Sequence, residues 1–393
     1  MRSILKYMNG DKVIWTVVVL LSIISLLTVY SSTGTLAYKY QHGNTMYYML
    51  KHGIILLFGL FLMFLSSKLK YTYYSRIFQI GLYFAVPLLI FTLLFGEHIN
   101  QATRVLRIPF IGLTFQSSDL AKITLIVFLA RELTKRQDNI KSFKSAFVPL
   151  MVPIILVVIF ILPANFSTAA IIFAISMVML YIGRVNSLYL FGLMFSGLLI
   201  IALVIGVIYL TDTDHSSRVY TWMNRIESFA GGEKSEVPYQ VEQAKIAIAS
   251  GGIKGKGPGN STQRNFLPHP YSDFIYAIII EEYGLVGGAI ILVLYLIFFF
   301  RSVRIAMLSP TLFGTFMVIG VSFGLVFQAL INMGVAVNLL PVTGQPLPLV
   351  SMGGTSLWFS SLSIGIILSV SREIEENKKE EAATEHKEET VTA

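Results

Sequence analysis

Apolar residues in this chain run in long blocks instead of alternating. Ten blocks read as helices that cross a bilayer: Val13–Tyr30, Tyr47–Leu65, Ile77–Phe95, Asp119–Leu133, Phe147–Leu162, Ser167–Ile182, Ser187–Leu210, Phe274–Phe300, Leu312–Ile331 and Leu357–Val370. A crossing needs about 20 apolar residues at 1.5 Å rise each, so the fourth, sixth and tenth blocks are short. Two interruptions stand out: a long polar loop over 211–272 and an uncharged loop over 332–355. The pattern predicts an all-α integral membrane protein with a polytopic domain over 1–372 and a polar tail over 373–393. No repeat of 20–50 residues and no inverted repeat is visible, which disfavours the commonest transporter folds. The first block is long and lacks a small-residue cleavage site, so no cleavable signal is expected.

Composition agrees with the bilayer reading. Of 393 residues, 54% are hydrophobic and 13% charged, against about 25% charged in soluble domains. That excludes a soluble enzyme, a disordered regulator and a fibrous protein. Cysteine is absent, so disulfides, thiolate metal sites and Cys nucleophiles are excluded. The net charge of +8 points to basic cytoplasmic loops and not to nucleic acid. With the N-terminus inside, the inner segments hold eighteen Lys and Arg, from Arg2 and Lys6 to Lys379 and Lys387, while the short outer loops hold only Lys39, Arg104 and Arg107. The predicted topology is N-in and C-in, with the 211–272 loop outside. The tail after Arg372, with eight Glu against three Lys between Glu373 and Glu389, is expected to be disordered, either as a solubilising tail or as a docking tail.

Scarce charge makes the intramembrane charges conspicuous. Lys51 and His52 fall in the second block, and Asp119 and Lys122 open the fourth at i, i+3, a spacing for an ion pair. Glu281 and Glu282 fall in the eighth block, with Asp273 at its outer mouth. On a continuous helix Glu281 lies roughly 12 Å deeper than Asp273 and Glu282 faces away from it, so the carboxylates are not a close catalytic pair. Glu281 and Glu282 are expected to take structural partners such as Lys122 or Lys51. Asp273 alone reads equally as a helix N-cap, a role Ser272 also fits.

The long loop carries a short amphipathic helix from Pro238 to Ala249 and then five glycines between Gly251 and Gly259, interleaved with Lys254 and Lys256. A P-loop is excluded, because position 250 is Ser and Gly257 follows Lys256. Phosphate binding by backbone N–H groups and Lys, and a plain flexible loop, both stay open. In the 332–355 loop, Pro341, Pro346 and Pro348 rule out a long helix. Backbone of this kind at membrane depth must be buried in protein or line a cavity. A re-entrant segment is expected, with Asn332, Thr343, Gln345 and Ser351 lining a groove or simply packing.

Three stretches, FQSSDLAKITL, GGIKGKGPGNSTQRNFLPHPYSDFIYAIIIEEYG and PVTGQPLPLVSMGGTSL, resemble, in order, signature regions of the SEDS family (shape, elongation, division and sporulation). The opening GDKVIW and VYSS resemble the division branch more than the elongation branch. The resemblance implies a peptidoglycan glycosyltransferase that polymerises lipid II at the outer face of the bacterial cytoplasmic membrane, at the division septum. It also implies a class B penicillin-binding protein (an FtsI-like transpeptidase) and other divisome proteins as partners. The family's essential Asp aligns with Asp273, its Lys with Lys122 and its Arg with Arg104. Asp119 stands for the family Glu, Ser117 for Pro, Val105 for Trp, Asn165 for Asp, and His269 and Tyr271 for Glu and His. Lys122, Arg104, Lys254, Lys256, Gln263, Ser351, Gly353 and Gly354 become candidates for substrate binding, supported by Asp119, Glu281, Glu282 and Lys51. The implied reaction joins a sugar 4-hydroxyl to an anomeric carbon and releases undecaprenyl pyrophosphate, with Asp273 as base. No dedicated metal cage is visible; magnesium or manganese is an option for sharing the pyrophosphate charge. The rivals are a lipid II flippase using Lys51, Lys122, Glu281 and Glu282, and a non-enzymatic scaffold.

Overall fold

A computed structural model describes residues 10–99, 102–107, 114–211, 229 and 239–392. Each apolar block is found as a helix: α1 (Lys12–Ser32), α3 (Thr45–Lys68), α4 (Tyr71–Phe95), α5 (Ser117–Lys135), α6 (Val148–Ile161, entered through a π-helical turn at Phe143–Phe147), α7 (Phe166–Ile182), α8 (Ser187–Thr211), α10 (Ile275–Leu308), α11 (Leu312–Ala336) and α12 (Thr355–Thr392). Short helices α2 (Gly34–Tyr40) and α9 (Tyr239–Gly251) complete the set. Among the described residues seven helices are long and apolar enough to cross a membrane. α7 is shorter, α8 is apolar over Ser187–Gly197, and α5 carries Asp119, Lys122, Arg131 and Glu132.

α5 and α11 form the centre. α5 buries residues on several faces, among them Asp119, Ala121, Leu125, Val127, Leu129 and Leu133, because α4, α7 and α11 all pack on it. A helix surrounded in this way has no polar face to offer. α3 lies along α12, where Gly59 faces Ser361 and Gly365 faces Ser66 so closely that a Cβ on Gly365 would sit 1.8 Å from Ser66 Oγ. Small residues allow this contact between backbones.

The helical class stands with one small addition, and two further expectations are corrected. The connection between α4 and α5 forms a small antiparallel sheet in the order β1 (Glu97–Ile99), β2 (Ala102–Arg107), β3 (Thr114–Phe115). Glu97 pairs with Val105 and Leu106 with Phe115, and the β-branched Val105 suits the pleat. The tail, expected to be disordered, is helical, since α12 continues to Thr392. No Gly or Pro follows Gly365, Ala and Glu favour helix, and Glu375 stands four residues before Lys379. Asn332 belongs to α11, so the irregular loop begins only after Ala336.

α10 is two helices joined at a break. Gly284 has φ +70, a conformation that favours glycine. The Gly-rich segment after α9 fills the break. Lys256 N and Gly257 N donate to Glu281 O and Glu282 O at 2.9 Å each, and Leu285 N donates to Gly252 O at 2.9 Å. A Cβ on Gly284 would lie 2.0 Å from Ile253 O.

One end of the bundle is tied by polar contacts. Asp11 caps α1 through Val13 N (2.9 Å) and Ile14 N (3.1 Å) and pairs with Arg301 of α10. Arg372 Nη1 donates to Lys68 O at 2.6 Å, and Tyr71 and Thr311 share a hydroxyl contact of 2.9 Å.

Candidate active site

Asp273 precedes α10 and is half-buried. It does not cap the helix: the cap position, Phe274, has no side-chain hydrogen bond, and Ser272 Oγ donates to Asp273 Oδ1 at 2.8 Å. The carboxylate is set by its backbone. Met352 N donates to Tyr271 O at 2.8 Å, Ser351 Oγ to Ser272 O at 2.7 Å, and Asn332 Nδ2 to Asp273 O at 2.8 Å. Three consecutive carbonyls are thus held by α11 and the 337–354 loop. The same loop passes the carboxylate at Gly344 (φ +65), where a Cβ would stand 3.5 Å from Asp273 Oδ2.

The loop is fixed in turn. Asn332 Nδ2 also donates to Gln345 O (2.7 Å), Gln345 Nε2 donates to Thr168 Oγ1 of α7 (2.9 Å), and Leu347 N donates to Ser351 Oγ (2.8 Å). Buried apolar contacts at Leu347, Leu349 and Val350 complete it. Several polar groups of this loop find protein partners, as buried backbone requires.

The expected Asp119–Lys122 pair forms at 3.7 Å. Lys122 Nζ also donates to Gln328 Oε1 at 2.7 Å, and Gln328 Nε2 donates to Pro346 O at 3.0 Å. Gln116 N donates to Thr355 Oγ1 (3.2 Å), which donates to Thr114 O (3.3 Å), and Gly354 lies against the same Thr114 carbonyl. Gly353 abuts Ser356. The three resembling stretches therefore meet on one loop. Gln328 is not marked by charge or by the 332–355 loop; its sequence signal is a lone amide inside the apolar VSFGLVFQAL run.

The deep carboxylates take other partners than Lys122 or Lys51. Glu281 accepts from Lys256 Nζ (2.6 Å), Thr262 N (3.1 Å), Thr262 Oγ1 (2.9 Å), Gln263 N (3.2 Å) and Ser261 Oγ. Glu282 accepts from Ser31 Oγ, and Arg264 Nη1 binds Ser31 O at 3.0 Å. The reason is the α10 break, which lets the Gly-rich segment reach both acids. Lys256, expected at a phosphate, is committed to Glu281 and Thr262. The glycines serve close backbone contact. Lys254 is exposed, and Gln263 Oε1 is buried with no partner among the described residues. Lys51 is half-buried in α3. Arg104 lies on β2, and its side chain falls outside the described residues.

His269 Nδ1 and the Tyr271 hydroxyl are 3.1 Å apart. Burial raises the Tyr271 phenol above its ordinary value, and the nearby Tyr48, Asp273 and Tyr40 add to the rise, so Tyr271 keeps its proton beside the carboxylate. An apolar groove of about 400 Å³ runs between α7, α11 and the loop, lined by Phe166, Ala170, Phe327, Ile331, Leu340 and Thr343. Thr343 Oγ1 is buried there without a partner among the described residues, one position before Gly344. The loop that lines the groove at Thr343 is thus the one that passes Asp273 at Gly344. Among the described residues no three His, Asp or Glu side chains gather as a metal donor set.

Comparison with known proteins matches this arrangement to one family. The cell cycle protein model, which joins FtsW, RodA and SpoVE, matches residues 11–376. The chain is 31% identical over 373 residues to the probable peptidoglycan glycosyltransferase FtsW of Geobacter sulfurreducens (strain DL-1 / KN400), covering 92% of this chain and 95% of that protein. A solved peptidoglycan synthase complex that coordinates polymerization and crosslinking contains a chain of like fold, with TM-score 0.73 at 21% identity over 93% of this chain and 98% of that one. The rod shape determining protein RodA of Thermus thermophilus superposes with TM-score 0.65 at 22% identity, covering 93% of this chain and 97% of that one.

Proposed function

The chain belongs to the cell cycle protein family of FtsW, RodA and SpoVE, and from that membership we propose that it extends glycan strands from lipid II. It is an FtsW-like, multi-pass membrane protein and a peptidoglycan glycosyltransferase. The observation that carries the mechanism is the clamp on Tyr271–Asp273. It leaves one half-buried carboxylate in a fixed position, beside the loop whose preceding residues line an apolar groove.

The groove suits a polyprenyl tail, and the carboxylate suits the sugar end. Asp273 takes the proton of the acceptor 4-hydroxyl as its oxygen attacks the donor anomeric carbon. One carbon–oxygen bond forms, the bond to the pyrophosphate breaks, and undecaprenyl pyrophosphate leaves. A single carboxylate favours inversion, because a retaining route needs a second one close by, and Glu281 and Glu282 are occupied by the 251–264 segment. Lys122, Arg104 and Lys254 are the cationic candidates for the pyrophosphate; a divalent cation bound to the pyrophosphate would belong to the substrate.

The proposed topology is ten crossings, N-in and C-in. It is supported by the contacts that gather Asp11, Lys68, Tyr71, Arg301, Thr311 and Arg372 at one end of the bundle. The proposed setting is the septum, with a class B penicillin-binding protein and other divisome proteins. The test is lipid II polymerisation by the purified chain with its transpeptidase partner in detergent. Glycan polymer from the wild type and none from a folded Asp273→Ala variant is the expected result. Full polymer yield from Asp273→Ala overturns the assignment, and translocation of lipid II in sealed vesicles without polymer replaces it by a flippase.

A further inference from the structure

We propose that His52 is a positioning residue, which acts through Ser25 to hold the turn that clamps Asp273. His52 on α3 and Ser25 on α1 are both completely buried. His52 Nε2 lies 2.7 Å from Ser25 Oγ, and Ser25 Oγ lies 2.8 Å from Val350 O. A carbonyl oxygen only accepts, so the single hydroxyl proton of Ser25 points at Val350. Nε2 must then carry the hydrogen and donate it to Ser25. The neighbours fix the tautomer.

The other ring nitrogen, Nδ1, is buried without a partner among the described residues. A doubly protonated ring would bury an unpaired N–H and its charge, which is costly in this environment. The neutral Nε2–H ring leaves only a lone pair unsatisfied. Its place in the fold gives this pair of bonds a purpose. Val350 precedes Ser351 and Met352, whose hydroxyl and N–H hold Ser272 O and Tyr271 O. Two hydrogen bonds therefore run from the first two crossing helices to the clamp, through residues that no motif marks.

The kinetic arm rests on the transferase reading above; the exchange arm does not. His52→Leu, His52→Gln and Ser25→Ala are assayed in the full chain with its partner, for lipid II kinetics and for amide hydrogen exchange across 347–352. His52→Leu should lower kcat about tenfold, the size of one lost hydrogen bond, with KM unchanged, and should speed exchange in the turn. His52→Gln, whose amide can donate to Ser25, should restore both. Ser25→Ala should match His52→Leu, and the double variant should be no worse than either. Equal losses in the Leu and Gln variants, additive losses, or unaltered exchange in His52→Leu and Ser25→Ala overturn the proposal. A wild-type chain that makes no polymer removes the transferase reading and leaves the exchange result to judge His52.

Discussion

Asn332 shows how one side chain can govern the proposed base without touching its carboxylate. Its amide holds the carbonyls of Asp273 and Gln345, and Asn332→Leu strands both. Each buried acceptor left unpaired costs about 1–3 kcal/mol, and displacement of a catalytic group by about 1 Å costs about 100-fold. Asn332→Leu is expected to lower kcat by about two orders of magnitude with a smaller change in KM, read by steady-state lipid II kinetics. Gly344→Ala tests the other wall of the carboxylate. Its left-handed backbone adds roughly 1–2 kcal/mol of strain, and the new methyl meets Asp273 Oδ2 at 3.5 Å. Activity should fall more than thermal stability, a comparison made by assaying polymer and melting on one preparation. The Asp119–Lys122 pair was legible in the sequence because charge is rare in apolar blocks, whereas Asp273 was singled out by the resemblance. The clamp was not, because it is built from backbone carbonyls, which leave no trace in residue type.

At the scale of elements, helical blocks were readable from length and apolarity, whereas the break in α10 was not. Gly284 sits in a run that reads as one helix, and only the returning 251–257 segment explains it. That segment also decided the partner of Glu281. Lys256→Met leaves the acid with its hydroxyl and amide donors but without its counter-charge. Loss of about 2 kcal/mol is expected, below the roughly 3–5 of a fully buried pair because Lys256 is 29% exposed. Lys256→Met with Glu281→Gln should recover most of it, which a detergent melting series can measure. Gly284→Ala should destabilise strongly, while Gly192→Ala in α8, where a Cβ meets nothing within 4 Å, should not. The helical tail illustrates the opposite case. Charge composition suggested disorder, but Glu, Lys and Ala without Gly or Pro also favour helix. Its residues from Glu375 to Thr384 are exposed, so truncation after Glu376 is expected to leave melting and polymerisation unchanged.

For the whole molecule, the two ends of the bundle are built differently. One is closed by ion pairs and caps, with Asp11–Arg301 joining α1 to α10 and Arg372 joining α12 to α3. Asp11→Ala removes a cap worth about 1 kcal/mol and strands Arg301, so a lower melting temperature with normal kcat is expected. The other end is tied by one irregular loop near the C-terminus, and its partners lie far away along the chain: Ser25, Thr168, Tyr271 and Ser272. That has a consequence for biogenesis. Chains emerge N-terminus first, so every helix up to α11 can enter the bilayer before residues 337–354 leave the ribosome. Until then Asp273 has its helix but lacks two of the three donors that fix its backbone. The membrane part can mature progressively, while the proposed site is completed in a single late step, and a chain interrupted at Ala336 is expected to be inserted but inert.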